Sequence, residues 1–483
     1  MKKLTGLIII LAVLVLGGYY GMGMVTEKTI KSNLAVINQS NELFADVQEY
    51  NRGWFCSNAK IKWRMHLPER VVSENGQTTT IPAQDYQMEM PVKIYHGPFI
   101  FANKRIKFGM GYAISDIPFP EQYNKEFSDS FTNESVKPQV NLSIFVNYLN
   151  KSTVGLNLPT FKLVAKDGKG QFDWQGMTST TYMSSNLSKV KGDLAVVGMT
   201  FNNADTRVTL GKVTSDYNLH KSDSGLYLGD ASFNLPAFEV VVKDQKMFEL
   251  KELAMSSDSD IDDSLFNMHL NLSLKSVLAN GQNYGPGTIE VALRNLDADV
   301  LARLNDQAKA MQNGTELQRQ QAVMAMLPEL PKLFSKGAEF EISTLSLKLP
   351  EGDIDGNLFV ALPKGDNNNP FELAQKIKGN AKIKIPVAVV KKLVQQSIMQ
   401  QMSKQPDMQQ ALIQQLQSAQ GQANQPAPTT EQLAAMQADK EIANFEQKGV
   451  IVVQGSDYVT EVSLEGGKFV VNGKPFDSSM VKF

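Results

Sequence analysis

Cysteine is almost missing. Cys56 is the one thiol in 483 residues, so no internal disulfide can form and no cysteine-based zinc site can be built. Histidine is nearly as scarce: His66, His96, His220 and His269 fall at no ligand-like spacing, whereas zinc requires three or four convergent donors. A basic surplus is lacking too. The 48 Lys and Arg stand against 50 Asp and Glu, a net charge of −2, which leaves no electrostatic footprint for nucleic acid. No Gly-x-Ser-x-Gly elbow, Walker loop or Gly-x-Gly-x-x-Gly fingerprint occurs, so no nucleophile, phosphate cradle or dinucleotide site can be assigned and no cofactor is expected. The remaining composition, 42% hydrophobic and 20% charged, is that of a folded globular chain.

What the sequence does have is one long uncharged run. Residues 4–26, opening at Leu4 and closing at Thr26, carry no charged side chain and follow Lys2 and Lys3. At about 1.5 Å per residue this run reaches roughly 34 Å, enough for a hydrocarbon core of about 30 Å. The expectation is a single transmembrane helix with a cytoplasmic N-terminus, Tyr19 and Tyr20 at the interface, and the bulk exported. A cleaved signal peptide ending near Gly21-Met22-Gly23 is the competing reading. Both export the rest of the chain.

Beyond this run, Ile30, Leu34, Ile37 and Phe44 mark an approximately helical stripe over 27–46, as if the first helix continued or a second followed. The period then changes to two. In His269-Leu270-Asn271-Leu272-Ser273-Leu274-Lys275 the leucines share one face and the polar residues the other, the pattern of a half-buried antiparallel strand. Similar runs recur from residue 60 to about 296 and again at 345–349, 358–362 and 381–385, with turns such as Asp167-Gly168-Lys169-Gly170 between them. Helical periodicity is confined to 297–335, to 387–402, where Val390, Leu393, Val394 and Ile398 form a stripe, and to 431–447. Between the last two, 13 of 31 residues over 395–425 are Gln, a polar linker composition. The fold expected is mainly β (α+β): an N-terminal membrane helix (1–27), a large extended antiparallel β-body (28–386) with a helical insertion near 297–335, a Gln-rich helical segment (387–448) and a terminal β-meander (449–483). Irregular strands and intervening helices exclude an outer-membrane barrel.

Two segments carry a resemblance. Tyr50-Asn51-Arg52-Gly53-Trp54-Phe55-Cys56-Ser57 is similar to the Tyr-x-Arg-Gly-hydrophobic-Phe-Ser-Ser segment of the YdgA/YihF-like bacterial proteins, and His96-Gly97-Pro98-Phe99 resembles their His-Gly-Pro-Phe tetrapeptide. The order of parts also resembles theirs over essentially the whole chain. The resemblance implies a bacterial inner-membrane protein with a large periplasmic region and no established activity. It singles out Tyr50, Arg52, Gly53, Trp54, Phe55, His96, Gly97, Pro98 and Phe99 as family-motif positions, read here as structural. Trp54 and Phe55 are expected to bury, Gly53 to supply an unusual backbone angle, Arg52 an ion pair or carbonyl contact, and His96 to bond backbone groups in a tight turn. Cys56 departs from the family serine, so the position carries no thiol chemistry.

Long curved sheets anchored in the inner membrane resemble the AsmA-like envelope proteins, whose apolar grooves are implicated in handling lipids. The expected function is therefore a non-enzymatic envelope protein, held in the inner membrane by 4–26, that binds lipid or another apolar ligand on its β-body. One alternative is a scaffold for other envelope proteins or for itself, with the Gln-rich helices as contact surfaces. The other is a hydrolase with an unrecognised site near His96 or 258–263. Asp258-Ser259-Asp260-Ile261-Asp262 begins like a calcium loop, but Asp263 stands where Gly is needed and His269 where Glu would close the cage, which leaves an acidic turn between strands.

Overall fold

The computed structural model describes residues 2–37, 43–67, 70–74, 77–82, 84–102, 104–312, 316–365, 375–404, 413 and 428–476. The chain divides into two compact units, Met1–Glu249 with Ala302–Leu327, and Leu250–Leu301 with Pro328–Phe483. Antiparallel strands dominate each, with few helices, the mainly β architecture that the period-two alternation predicts.

In the first unit a single helix, Lys2–Ile37, precedes the sheet. It continues unbroken through the stripe at Ile30 and Leu34, but Phe44 belongs to the strand Leu43–Arg52. The polar sequence Asn38-Gln39-Ser40-Asn41 separates the two patterns. The side chains up to position 14 lie outside the described residues, so the span expected at 4–26 falls partly there. Among the described residues no helix is long and apolar enough to cross a membrane.

The strands then run as a meander. Leu43–Arg52 pairs with Cys56–Leu67, which pairs with Gln84–His96; Gly111–Ile117, Val140–Val146, Ser152–Leu158 and Met177–Met183 follow in turn. Alternation decides which face is covered. In Gln84–His96 the residues Met90, Val92, Ile94 and His96 are buried, while Glu89, Pro91 and Lys93 between them are exposed. Met90, Val92 and Ile94 join Ala45, Ala59 and Ile61 in a core against which Ile30 of the helix packs. The register also fixes where the turns fall. Arg52 stands opposite Ser57, Cys56 opposite Tyr95, His96 opposite Gly111, Gly111 opposite Val146, and Val146 opposite Ser152. The connections 53–55, 97–110 and 147–151 therefore share one edge of the sheet.

The second unit repeats the principle. Residues 254–262 pair with Leu265–Leu274, and the sheet continues through Gly287–Asp297, Glu339–Leu349, Gly352–Ala361, Lys378–Pro386 and Asp457–Glu465. Its helices Val387–Lys404 and Thr430–Lys448 pack on each other and bury Ile398, Met402, Leu433, Ala434 and Ala438. Leu393, expected in the apolar stripe, is exposed instead and Val389 is buried.

Candidate functional site

The family-motif residues converge on the N-terminal helix. His96 and Ser57 are both fully buried, with His96 Nε2 3.0 Å from Ser57 Oγ. Burial holds the imidazole below its usual range, opposed in part by a hydrogen bond with the Tyr19 backbone and helped by Arg52 nearby, so the neutral form is favoured. Helix residue Gly23 lies directly over the ring: a Cβ there would come 2.7 Å from His96 Cε1. One turn earlier, the Tyr19 hydroxyl donates to the Phe99 carbonyl at 2.6 Å, and its ring meets Phe55 edge-on at 4.8 Å. Gly97, with φ +120°, passes so close that a Cβ would fall 1.9 Å from Tyr19 Cδ1; only glycine satisfies both the angle and the approach. One turn later, Arg52 pairs with Glu27 at 3.4 Å, donates to the Tyr20 hydroxyl at 3.1 Å and lies over the Tyr20 ring at 4.9 Å. The Lys31 ammonium stands 5.8 Å from the Tyr50 ring, and burial pushes the Tyr50 phenol up, opposed in part by the Ser57 hydroxyl. The Pro98 carbonyl accepts from the Tyr148 hydroxyl.

Two expectations are corrected. Trp54 and Phe55 do not bury: they are 57% and 54% exposed, on a turn at the sheet edge where each ring meets one tyrosine of the helix, Trp54 with Tyr20 and Phe55 with Tyr19. Gly53 takes no positive φ. It is needed because a Cβ would lie 2.4 Å from the Cys56 carbonyl oxygen. His96 bonds the Ser57 side chain as well as the backbone of Tyr19 on the helix, and the ion pair expected for Arg52 is made with Glu27. Sequence reasoning missed the helix as the common partner. The signal was available: Tyr19, Gly23, Glu27 and Lys31 recur at i, i+4, one face of a helix.

Beside this seat lies a cleft of about 490 Å³ between the helix and the sheet, within the range of small-ligand sites, about 300–1,000 Å³. Val25, Thr29 and Ile30 form its helix side; Met90, Val92 and Ile94 lie on its sheet side. The lining is mostly apolar, with Thr26, Thr29, Ser115, Asn150 and Ser152 among it. Trp63 Nε1 and Ser115 Oγ are buried with no hydrogen-bond partner among the described residues, and an orphan buried donor costs about 1–3 kcal/mol.

The second unit offers a smaller cavity of about 210 Å³ lined by Asp258, His269, Asn271, Glu290, Arg294 and Ser343. His269 Nδ1 lies 3.0 Å from Asp258 Oδ2, Arg294 pairs with Glu341 at 2.6 Å, and Ser343 donates to Glu290 at 3.1 Å. These partners satisfy one another across neighbouring strands. The acidic turn expected here is displaced: Asp258 to Asp262 lie in the strand that ends at Asp262, and the turn is Asp263-Ser264, both with positive φ. Among the described residues no group of three His, Cys, Asp or Glu is placed to hold a metal ion.

With this geometry in view, comparison with known proteins gives two matches. The family of bacterial proteins of unknown function DUF945 matches over residues 1–478. Protein YdgA of Escherichia coli (strain K12) is 21% identical over 415 residues, covering 79% of this chain and 80% of that protein. No solved structure matches. The resemblance carried by the 50–57 and 96–99 segments is thereby borne out.

Proposed function

Because the chain belongs to the bacterial DUF945 family, similar along most of its length to YdgA, we propose that it is a non-enzymatic cell-envelope protein that holds an acyl chain in the cleft of its first unit. In this reading the part of 4–26 that precedes Tyr19 enters the inner membrane, since Tyr19, Gly23 and Val25 seat on the sheet, and the two units stand in the periplasm. The observation that carries it is the cleft: about 490 Å³, walled by Ile30, Met90, Val92 and Ile94, with Trp63 Nε1 and Ser115 Oγ left as two donors for a ligand oxygen. An apolar chain ending in a carboxylate or ester fits both properties, whereas a polar metabolite would leave its own groups unpaired against the wall. The Gln-rich helices bury Ile398, Met402, Leu433, Ala434 and Ala438 on each other, which leaves less of their apolar surface for the scaffold alternative.

The test is native mass spectrometry of the full chain released from detergent, with organic extraction of what stays bound. One acyl-chain lipid per chain is expected. Ile144→Asp, a partly exposed lining position, should lower retention at least about tenfold, equivalent to about 1.4 kcal/mol. A lipid-free wild type, or a variant that retains lipid like wild type, overturns the reading.

A further inference from the structure

One edge of the first unit carries the turns 53–55, 97–110 and 147–151. Its tips are apolar: Trp54 is 57% exposed, Phe101 65%, Ile106 58% and Leu149 70%. The short hairpin Ile100–Ala102 with Arg105–Lys107 shows that this is a property of the strands. Ile100 and Ala102 turn inward and are buried, while the cross-strand pair Phe101 and Ile106 turns outward, the reverse of the polar-out alternation of a sheet that faces water. Phe99 and Phe108 extend the patch, their rings 5.7 Å apart.

Charge on this edge is one-sided. Over 53–56, 97–108 and 147–151 there are four basic residues, Lys104, Arg105, Lys107 and Lys151, and no acidic one, in a chain whose net charge is −2. Lys104 and Arg105 are exposed on this hairpin, whereas Lys107 is half-buried with its ammonium 4.1 Å from the Tyr112 ring. The place of the edge is also fixed. Tyr19 and Tyr20 tie the turns to the helix through the Phe99 carbonyl, Phe55 and Trp54, and Tyr148 ties the third turn to Pro98. In the sequence, Tyr19 comes three residues after the apolar run that ends at Leu16.

We propose that this edge is a lipid-docking face, whose three turns lie in the interfacial layer of an anionic bilayer around the emerging helix. Exposed aromatics flanked by Lys and Arg suit that layer, where amphipathic rings sit at headgroup depth and basic side chains meet anionic lipid. The face rests on the membrane-anchor reading but goes beyond it, because an anchored chain can equally hold its body away from the bilayer. A docked body is held at the bilayer surface with its proposed acyl-binding cleft beside the same helix.

Site-directed spin labelling of the full chain in vesicles of phosphatidylethanolamine and phosphatidylglycerol tests this. With Cys56→Ser, which installs the family's residue, single labels are placed through Phe101→Cys, Leu149→Cys and, at the far end of the sheet, Lys125→Cys. The labels at 101 and 149 are expected to gain collisions with oxygen and lose those with a water-soluble nickel chelate, while that at 125 stays accessible to nickel. Lys104→Glu with Arg105→Glu should reduce the burial of the other two labels in these vesicles and leave it unchanged in phosphatidylcholine. Three labels equally open to nickel, on a chain that floats with the vesicles, overturn the docking face and leave the anchor intact. A chain that does not float overturns both. Labels at 101 and 149 shielded from both reagents mark contact with a second copy and overturn the lipid assignment.

Discussion

His96 is a neutral imidazole wedged between Ser57 and the helix backbone at Gly23. Burial lowers its folded-state pKa below the unfolded value of about 6.5. The unfolded chain therefore takes up the additional proton first as the pH falls through about 6.5, and stability declines from there toward acid; above that pH both states are neutral and the term vanishes. His96→Gln should remove this part of the acid sensitivity, at a cost of about 1 kcal/mol at neutral pH if the bond to Ser57 is weakened. Urea denaturation of both proteins between pH 7.5 and 5 checks it, and parallel pH profiles would refute the assignment. The same residue shows what one side chain's chemistry could reveal in advance. His-Gly-Pro-Phe announced a tight turn around a histidine, and Gly97 supplies the positive φ. That the histidine's partner is a serine brought from position 57 follows from strand pairing and was not local information.

At the scale of elements, legibility followed periodicity. The alternating runs at 269–274 and 381–385 lie in strands, and Asp167-Gly168-Lys169-Gly170 does turn the chain between Phe161–Val164 and Gly170–Trp174. The stripe from Ile30 lies in the helix, whereas Phe44, whose spacing continues a helical period across a polar break, lies in the strand that follows. What periodicity could not supply was partnership. Trp54 and Phe55 look like core residues by type, yet the turn that carries them lies where the sheet ends. The convergence of the 50–57 and 96–99 segments on Tyr19, Gly23 and Glu27 depends on a register that no local pattern encodes. The helix Thr430–Lys448 illustrates the opposite case, an end written fully in sequence: Thr429 accepts from the Gln432 backbone N–H while the Gln432 side chain accepts from the Thr429 N–H, and Gly449 closes the far end with φ +75°. Thr429→Ala should cost about 0.5–2 kcal/mol. Hydrogen exchange should show the loss as faster exchange in the first turn of this helix, and an unchanged first turn would mean that packing against Val387–Lys404 alone sets its stability.

Over the whole molecule, the division into two compact units gives the proposed function a thermodynamic signature. The cleft belongs entirely to the first unit, since its lining runs from Val25 to Val154, and the second unit has its own helix-pair core. A ligand that binds one folded unit and not its unfolded state stabilises that unit by mass action, about 2.7 kcal/mol when free ligand is 100 times the dissociation constant. Calorimetry of the full chain in amphipol is therefore expected to show two transitions, of which oleate raises one. Ile144→Asp should abolish that shift without moving the second transition. The pattern separates cleft binding from general adsorption of fatty acid, because adsorption to exposed apolar surface would act on both transitions and would survive the substitution. It also separates the cleft from the docking face: Phe101 and Leu149 do not line the cleft, so their replacement should leave the oleate shift in place. A single transition moved as a whole would mean instead that the two units unfold together, and that a ligand seated under the N-terminal helix stabilises the entire chain.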